Sequence, residues 1–120
     1  MSKNIELGRR GEDLATIFLK KKGYHILERN WRFSKAEIDI ITKDGEILVF
    51  VEVKTRSTAI FGEPEDSVSS KKEDLISDAA AVYMEQIGHG WEIRFDIISI
   101  ILNEEGHSIK HFEDAFFSEW

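Results

Sequence analysis

Glu37-Ile38-Asp39-Ile40-Ile41-Thr42-Lys43-Asp44-Gly45-Glu46-Ile47-Leu48-Val49-Phe50-Val51-Glu52-Val53-Lys54-Thr55 is the stretch on which the fold turns. Asp44-Gly45 is a tight-turn signal between two runs rich in β-branched residues. The second run, Ile47 to Thr55, is apolar on both alternations: Leu48 and Phe50 on one face, Ile47, Val49, Val51 and Val53 on the other. Such a strand belongs at the centre of a sheet covered on both sides. Glu52 and Lys54 interrupt it, and charge at such a place is costly unless it has a partner or a use.

Working outward, residues 4–22 read as a helix, with Leu14, Ala15, Phe18 and Leu19 at helical spacing and Gly23 as a stop. Tyr24 to Phe33 reads as a strand and Glu37 to Thr42 as a shorter one. Residues 57–69, with Gly62 and the single proline Pro64, read as a loop. Ser70-Lys71-Lys72-Glu73 has capping-box spacing and opens a helix that Gly88 ends after Ile87. Trp91 to Leu102 is a further strand, and Ser108 to Phe112 can pair behind it across the Asn103–Gly106 turn. The order is helix, three strands, helix, strand. Short links make the first three strands antiparallel, and the helical crossover makes the third and fourth parallel. The expected fold class is α/β, a mixed sheet flanked by helices, with residues 1–120 as one domain.

Taking Asp44-Gly45 as a two-residue hairpin loop, Thr42 should face Ile47 and Asp39 should face Phe50. Asp39 then shares a sheet face with Phe50 and Glu52, and becomes a diagonal neighbour of Glu52 at about 7–8 Å between backbones. Lys54 follows two residues on, and Glu37 faces Glu52 as a further ligand or as the solvated end of its strand. Glu12 is a third candidate carboxylate. On the first helix it lies beside the face of Gly8, Ala15 and Leu19, whose two small residues permit close approach to the sheet. The alternative for Glu12 is pairing with an arginine such as Arg29 or Arg32.

Oxygen-only ligands suit Mg²⁺ or Mn²⁺ far better than zinc. Such an ion can bridge a phosphate and a water and lower the pKa of that water. Lys54 can hold the attacking water or offset phosphate charge. Lys71, near a helix N-terminus, can meet a phosphate. Among the remaining candidates, Trp31 reads as a core tryptophan before a base-stacking one, and Arg94 with Asp96 as a structural pair. His107 and His111, on a strand, do not read as a metal pair.

The 120 residues carry no cysteine, which excludes disulfides, thiolate metal sites and a cysteine nucleophile and fits a reducing compartment. The first ten residues have no apolar segment of signal-peptide type, and the longest apolar run, Ile47–Val51, is too short to span a bilayer. A soluble cytoplasmic protein without a membrane partner is expected. Net charge is −7 but unevenly placed: residues 1–72 hold 14 Lys and Arg against 12 Asp and Glu, and residues 73–120 hold 2 against 11. One basic face can therefore meet a polyanion, with Arg32, Arg56 and Lys71 as substrate-binding candidates. The acidic C-terminal half can equally recruit a protein partner.

Gly8-Arg9-Arg10-Gly11-Glu12, Gly23-Tyr24, Arg29-Asn30-Trp31-Arg32, Glu37-Ile38-Asp39, Val49–Arg56 and Arg94-Phe95-Asp96 together resemble the YraN-like family of small bacterial proteins. That family is similar to the PD-(D/E)xK nuclease superfamily, and within it to the Holliday-junction resolvases. The resemblance implies a restriction-endonuclease-like core of helix, three strands, helix and strand. It matches Asp39 and Glu52 to the metal carboxylates, Lys54 to the catalytic lysine, Glu12 to a helix glutamate at the metal, and Lys71 to a lysine after a glycine-rich loop. Ala36 stands where a glycine commonly precedes the Glu-Ile-Asp segment, and Ile38 where the superfamily's name has proline.

The leading expectation is thus a Mg²⁺- or Mn²⁺-dependent endonuclease acting on structured or branched DNA. A catalytically silent nucleic-acid-binding or protein-interaction module on the same fold is the alternative. Junction cleavage would favour a homodimer, although no motif specifies one.

Overall fold

The computed structural model describes residues 3–58 and 70–115. Helix α1 (Lys3–Lys21) is followed by strands β1 (His25–Phe33), β2 (Ala36–Asp44) and β3 (Ile47–Arg56), helix α2 (Ser70–Ile87), and strands β4 (Ile93–Asn103) and β5 (Gly106–Phe112). The strands lie in the order β1-β2-β3-β4-β5. β3 and β4 are parallel and the other neighbours antiparallel. This is the mixed, restriction-endonuclease-like α/β order expected from the sequence. The expected loop at 57–69 falls, from residue 59, outside the described residues, as does the chain beyond residue 115.

The helices cover opposite faces. Ala15 and Leu19 of α1 pack with Ile40, Val49, Val51, Ile98 and Ile100. Ile76, Ala79, Ala80 and Tyr83 of α2 pack with Ile41, Leu48, Phe50, Phe95 and Ile97. β3 feeds alternate residues into both clusters, which is why its sequence is apolar on both sides. Trp31 is one of the aromatics under α2, edge-on to Tyr83 with ring centroids 5.2 Å apart.

Three local expectations need correction. The β2–β3 loop is Gly45-Glu46, because Asp44 itself pairs with Ile47. Gly45 takes φ 61° at the first loop position, the φ pattern of a type II′ hairpin, and Trp91 Nε1 donates to the Glu46 carbonyl at 2.7 Å. Thr42 therefore faces Val49, two residues further along than expected. Glu37 pairs with Arg32 of β1, and the β2–β3 register brings Asp39, not Glu37, level with Glu52.

The second correction concerns strict alternation in β2. Ile38 and Ile41, three residues apart, both lie under α2. On β1, Asn30 sits between the Arg29–Ile40 and Trp31–Ile38 pairs with φ 50°. β2 thus switches faces at Asp39, opposite Asn30; the pairing register is the same on both sides of this point, and the register shift of the β1–β2 ladder lies between Ile26 and Glu28. Asp39 lies at this break and not simply on the face of Phe50. The third correction is the contact glycine of α1. Nothing lies within 4 Å of a side-chain carbon built on Gly8, whereas one built on Gly11 would meet Thr55 Cβ at 2.8 Å. Gly11 lets α1 press onto β3, and its neighbour Glu12 is carried to the sheet with it.

Candidate active site

The β2–β3 ladder runs as far as the Ile40–Val51 pair. Asp39 and Glu52 are the next residues on each strand, so they are brought together more directly than a diagonal placement would give. Both are buried, at 9% and 6% exposure. Asp39 Oδ2 accepts the Val53 backbone N–H at 2.8 Å, so a side chain takes the ladder bond that the β2 backbone gives up at the break. Glu52 stands against Ile38, Phe50 and Ile76. Its Oε1 accepts from Lys54 Nζ at 3.3 Å and from Lys72 Nζ of α2.

Charge is therefore shared unequally. Glu52 has two ammonium partners, whereas the partner of Asp39 is a neutral amide. Burial pushes the Asp39 carboxyl up to about 8, with Glu52 and then Glu12 pushing the same way against Val53 N–H and Lys72. Burial also lowers Lys54, against the pull of Glu52. Lys72 is pulled down by burial, but its hydrogen bond and charge pairing with Glu52 outweigh that and leave it raised.

Glu12 is oriented differently. Its Oε1 accepts from Asn30 Nδ2 at 2.7 Å, and Arg29, 3.8 Å away, pairs more closely with Asp13 at 2.9 Å. Glu12 and Asn30 line a surface hollow of about 400 Å³ with Arg9, Arg29, Arg32 and Glu37. Among the described residues no three His, Asp or Glu side chains form a group able to hold a metal ion. Asp39, Glu52 and Lys54 come together, while Glu12 reaches them through its charge on Asp39.

Of the substrate-binding candidates, Arg32 pairs with Glu37 at 2.8 Å and is largely exposed. Arg56 has a buried Nε without a hydrogen-bond partner among the described residues. Lys71 is exposed; Lys72 is the lysine that enters the site. Helical spacing carried that signal, since Lys72 lies one turn before the buried Ile76. No sequence signal marked Asn30, whose role depends on its backbone conformation. Arg94 and Asp96 are paired as expected, with Nε to Oδ1 at 2.9 Å.

The mixed sheet and the buried carboxylate–lysine centre define an α/β protein with a charged site at the break of its β2–β3 ladder. The chain belongs to the Uncharacterised protein family UPF0102, whose model matches residues 11–100. A UPF0102 protein of Flavobacterium psychrophilum is 50% identical over 98% of both chains, and one of Christiangramia forsetii is 49% identical over the same shares. Among solved structures, Pyrococcus furiosus SfsA in complex with Ca²⁺ overlaps 82% of this chain and 58% of its own, at 14% identity and a TM-score of 0.30. A superposition that shallow defines no shared fold. Among the described residues, no helix is long and apolar enough to cross a membrane.

Proposed function

We propose that this protein hydrolyses phosphodiester bonds of structured or branched DNA with Mg²⁺ or Mn²⁺. The observation that carries the reading is the buried Asp39–Glu52 pair with Lys54 against Glu52 Oε1. The donor set fits a hard divalent cation: it offers carboxylate oxygens only, and the raised Asp39 carboxyl marks a centre in need of positive charge. Asp39 and Glu52 would hold the ion, with Glu12 adding negative charge nearby. When bound, it would supply a more acidic water and offset the charge of the transition state.

The chain's own groups do the rest. Lys54, half-sheltered beside Glu52, donates hydrogen bonds to the attacking water or to the phosphate oxygens. Arg32, Arg56 and Lys71 supply positive charge for neighbouring phosphates. Water's oxygen forms a new P–O bond as one ester P–O bond breaks, and the departing oxygen takes up a proton.

The test is cleavage of a panel of single-stranded, duplex, flap and four-way-junction DNA with Mg²⁺ or Mn²⁺. Lys54→Met should lower the rate roughly 100- to 1000-fold, the usual loss for a positioned charge donor, while the fold and Mn²⁺ binding persist. Cleavage by Lys54→Met at the wild-type rate would assign the activity to another site. The double pairing of Glu52 and the net charge of −7 favour a second reading, a module that binds DNA or a protein without turnover. DNA binding with no cleavage of any substrate in the panel would support it.

A further inference from the structure

Lys72 is the one site residue that neither the strand pattern nor the chemistry above requires. It rises from the first turn of α2 and reaches the same oxygen of Glu52 that Lys54 already holds. A cation in the first turn of a helix opposes the macrodipole, so nothing about α2 itself favours a lysine there. The two ammonium groups are not equivalent. Lys54 is fixed on the central strand and its side chain is 21% exposed, whereas that of Lys72 is 38% exposed. Its flexible four-carbon stem springs from a helix and not from the sheet.

We propose that Lys72 is the exchangeable counter-ion of Glu52, held there in the cation-free protein and displaced by the divalent ion that Asp39 and Glu52 bind. This rests on the metal reading above. A divalent cation on Glu52 and an ammonium on the same oxygen repel strongly at a few ångströms. Of the two ammonium groups on Glu52, Lys72, the more exposed, is the one that gives way. The displaced ammonium stays tethered beside the site, facing solvent, where an incoming phosphate needs positive charge. Lys72 is thus a positioning residue that couples ion binding to DNA binding.

The experiment is Mn²⁺ titration by calorimetry on the wild type, Lys72→Met and Asp39→Asn. A Mg²⁺ titration of the wild type, followed through ¹⁵N signals of the lysine Nζ groups, runs beside it. Lys72→Met should bind Mn²⁺ at least about 5-fold more tightly than wild type, because a charge-assisted hydrogen bond no longer competes. Its affinity for a cleavage-resistant DNA in Mg²⁺ should fall. In the wild type, the protected Nζ signal of Lys72 should disappear on adding Mg²⁺ while that of Lys54 persists. If Lys72→Met fails to fold, Lys72→Gln takes its place. Unchanged or weaker Mn²⁺ binding by the Lys72 variant, with Asp39→Asn abolishing it, would overturn the exchange and leave the metal reading standing. Absence of Mn²⁺ binding in wild type and Lys72 variant alike would overturn both.

Discussion

Asp39 and Asp96 are two buried carboxylates on the strands either side of β3. Val51 pairs with Ile40, next to Asp39, on one side and with Asp96 on the other. Asp96 is fully enclosed and surrounded by donors. Arg94 reaches it through Nε at 2.9 Å and a terminal nitrogen at 3.0 Å, His111 Nε2 lies at 2.7 Å, and the Asp114 N–H at 2.9 Å. Lys22 Nζ sits 2.8 Å from His111 Nδ1, which fixes the ring proton on Nε2, facing Asp96. Arg94 also reaches Asp44, Tyr24 and Glu113, tying the hairpin, the α1–β1 connection and the segment after β5 together. Burial alone would raise Asp96; the hydrogen bonds from His111, Arg94 and Asp114 outweigh it and hold the carboxyl below its ordinary range. Asp39, also buried, has one amide donor and two carboxylate neighbours, and it is raised. The fold can satisfy a buried carboxylate completely, and at Asp39 it does not. A buried carboxyl left short of donors, close to one that is fully satisfied, is what makes Asp39 the candidate site residue.

The largest expected effect breaks the satisfied side. Asp96→Asn leaves Arg94 buried without its main partner and should cost about 3–5 kcal/mol in urea unfolding at pH 7. Because the folded carboxyl is lowered, its contribution is present above its ordinary value of 3.8 and lost as pH falls. The gap between variant and wild type should therefore close on acidification. A loss under about 1 kcal/mol at pH 7 would show the network to be dispensable.

Asp39→Asn should act in the opposite direction. The folded carboxyl is raised, so its contribution is fully present below 3.8 and lost as pH rises toward about 8. Asparagine removes that penalty and keeps an oxygen for the Val53 N–H. The variant should gain about 2–4 kcal/mol over wild type at pH 8 and nothing near pH 4, read from unfolding curves at both values. A variant less stable than wild type at pH 8 would put Asp39 with Asp96 as a structural carboxylate.

The smallest effect sharpens the comparison through α1. Gly11→Ala drives a methyl group into Thr55, which costs about 1–3 kcal/mol. Better helix propensity returns about 1 kcal/mol. A net loss of up to about 2 kcal/mol is expected, partly rescued by Thr55→Ala. As α1 lifts, Glu12 withdraws, and the Asp39 carboxyl should titrate lower by NMR. An unchanged Asp39 titration would mean that Glu12 contributes nothing to its environment.

Much of this was legible in the sequence because it depends on pattern. The two-faced apolarity of Ile47–Val53 predicts a central strand, and the charges that break it locate Glu52 and Lys54. Asp39 also lies beside Glu52 as expected, although the hairpin is displaced by two residues; a displacement of two leaves every residue of β3 on its expected face. Backbone exceptions were not legible. Asn30 at positive φ, the break in alternation between Ile38 and Ile41, and the choice of Gly11 over Gly8 as the contact glycine depend on how neighbouring elements fit. Lys72 lies between these cases. Its helical phase was readable, but its partner was set by the relative placement of α2 and β3.

The parallel pairing of β3 with β4 has a consequence for chain closure. Every other strand pair joins neighbours across a short turn, but Leu48 meets Ile93 only after the chain has travelled through α2. Glu52 and Lys72 are 20 residues apart, so their contact divides that long excursion into two shorter loops. Closing a loop costs entropy that grows with its length, and a tether partway round reduces the second closure. The ion pair at the candidate site is therefore also a clasp on the long connection between β3 and β4.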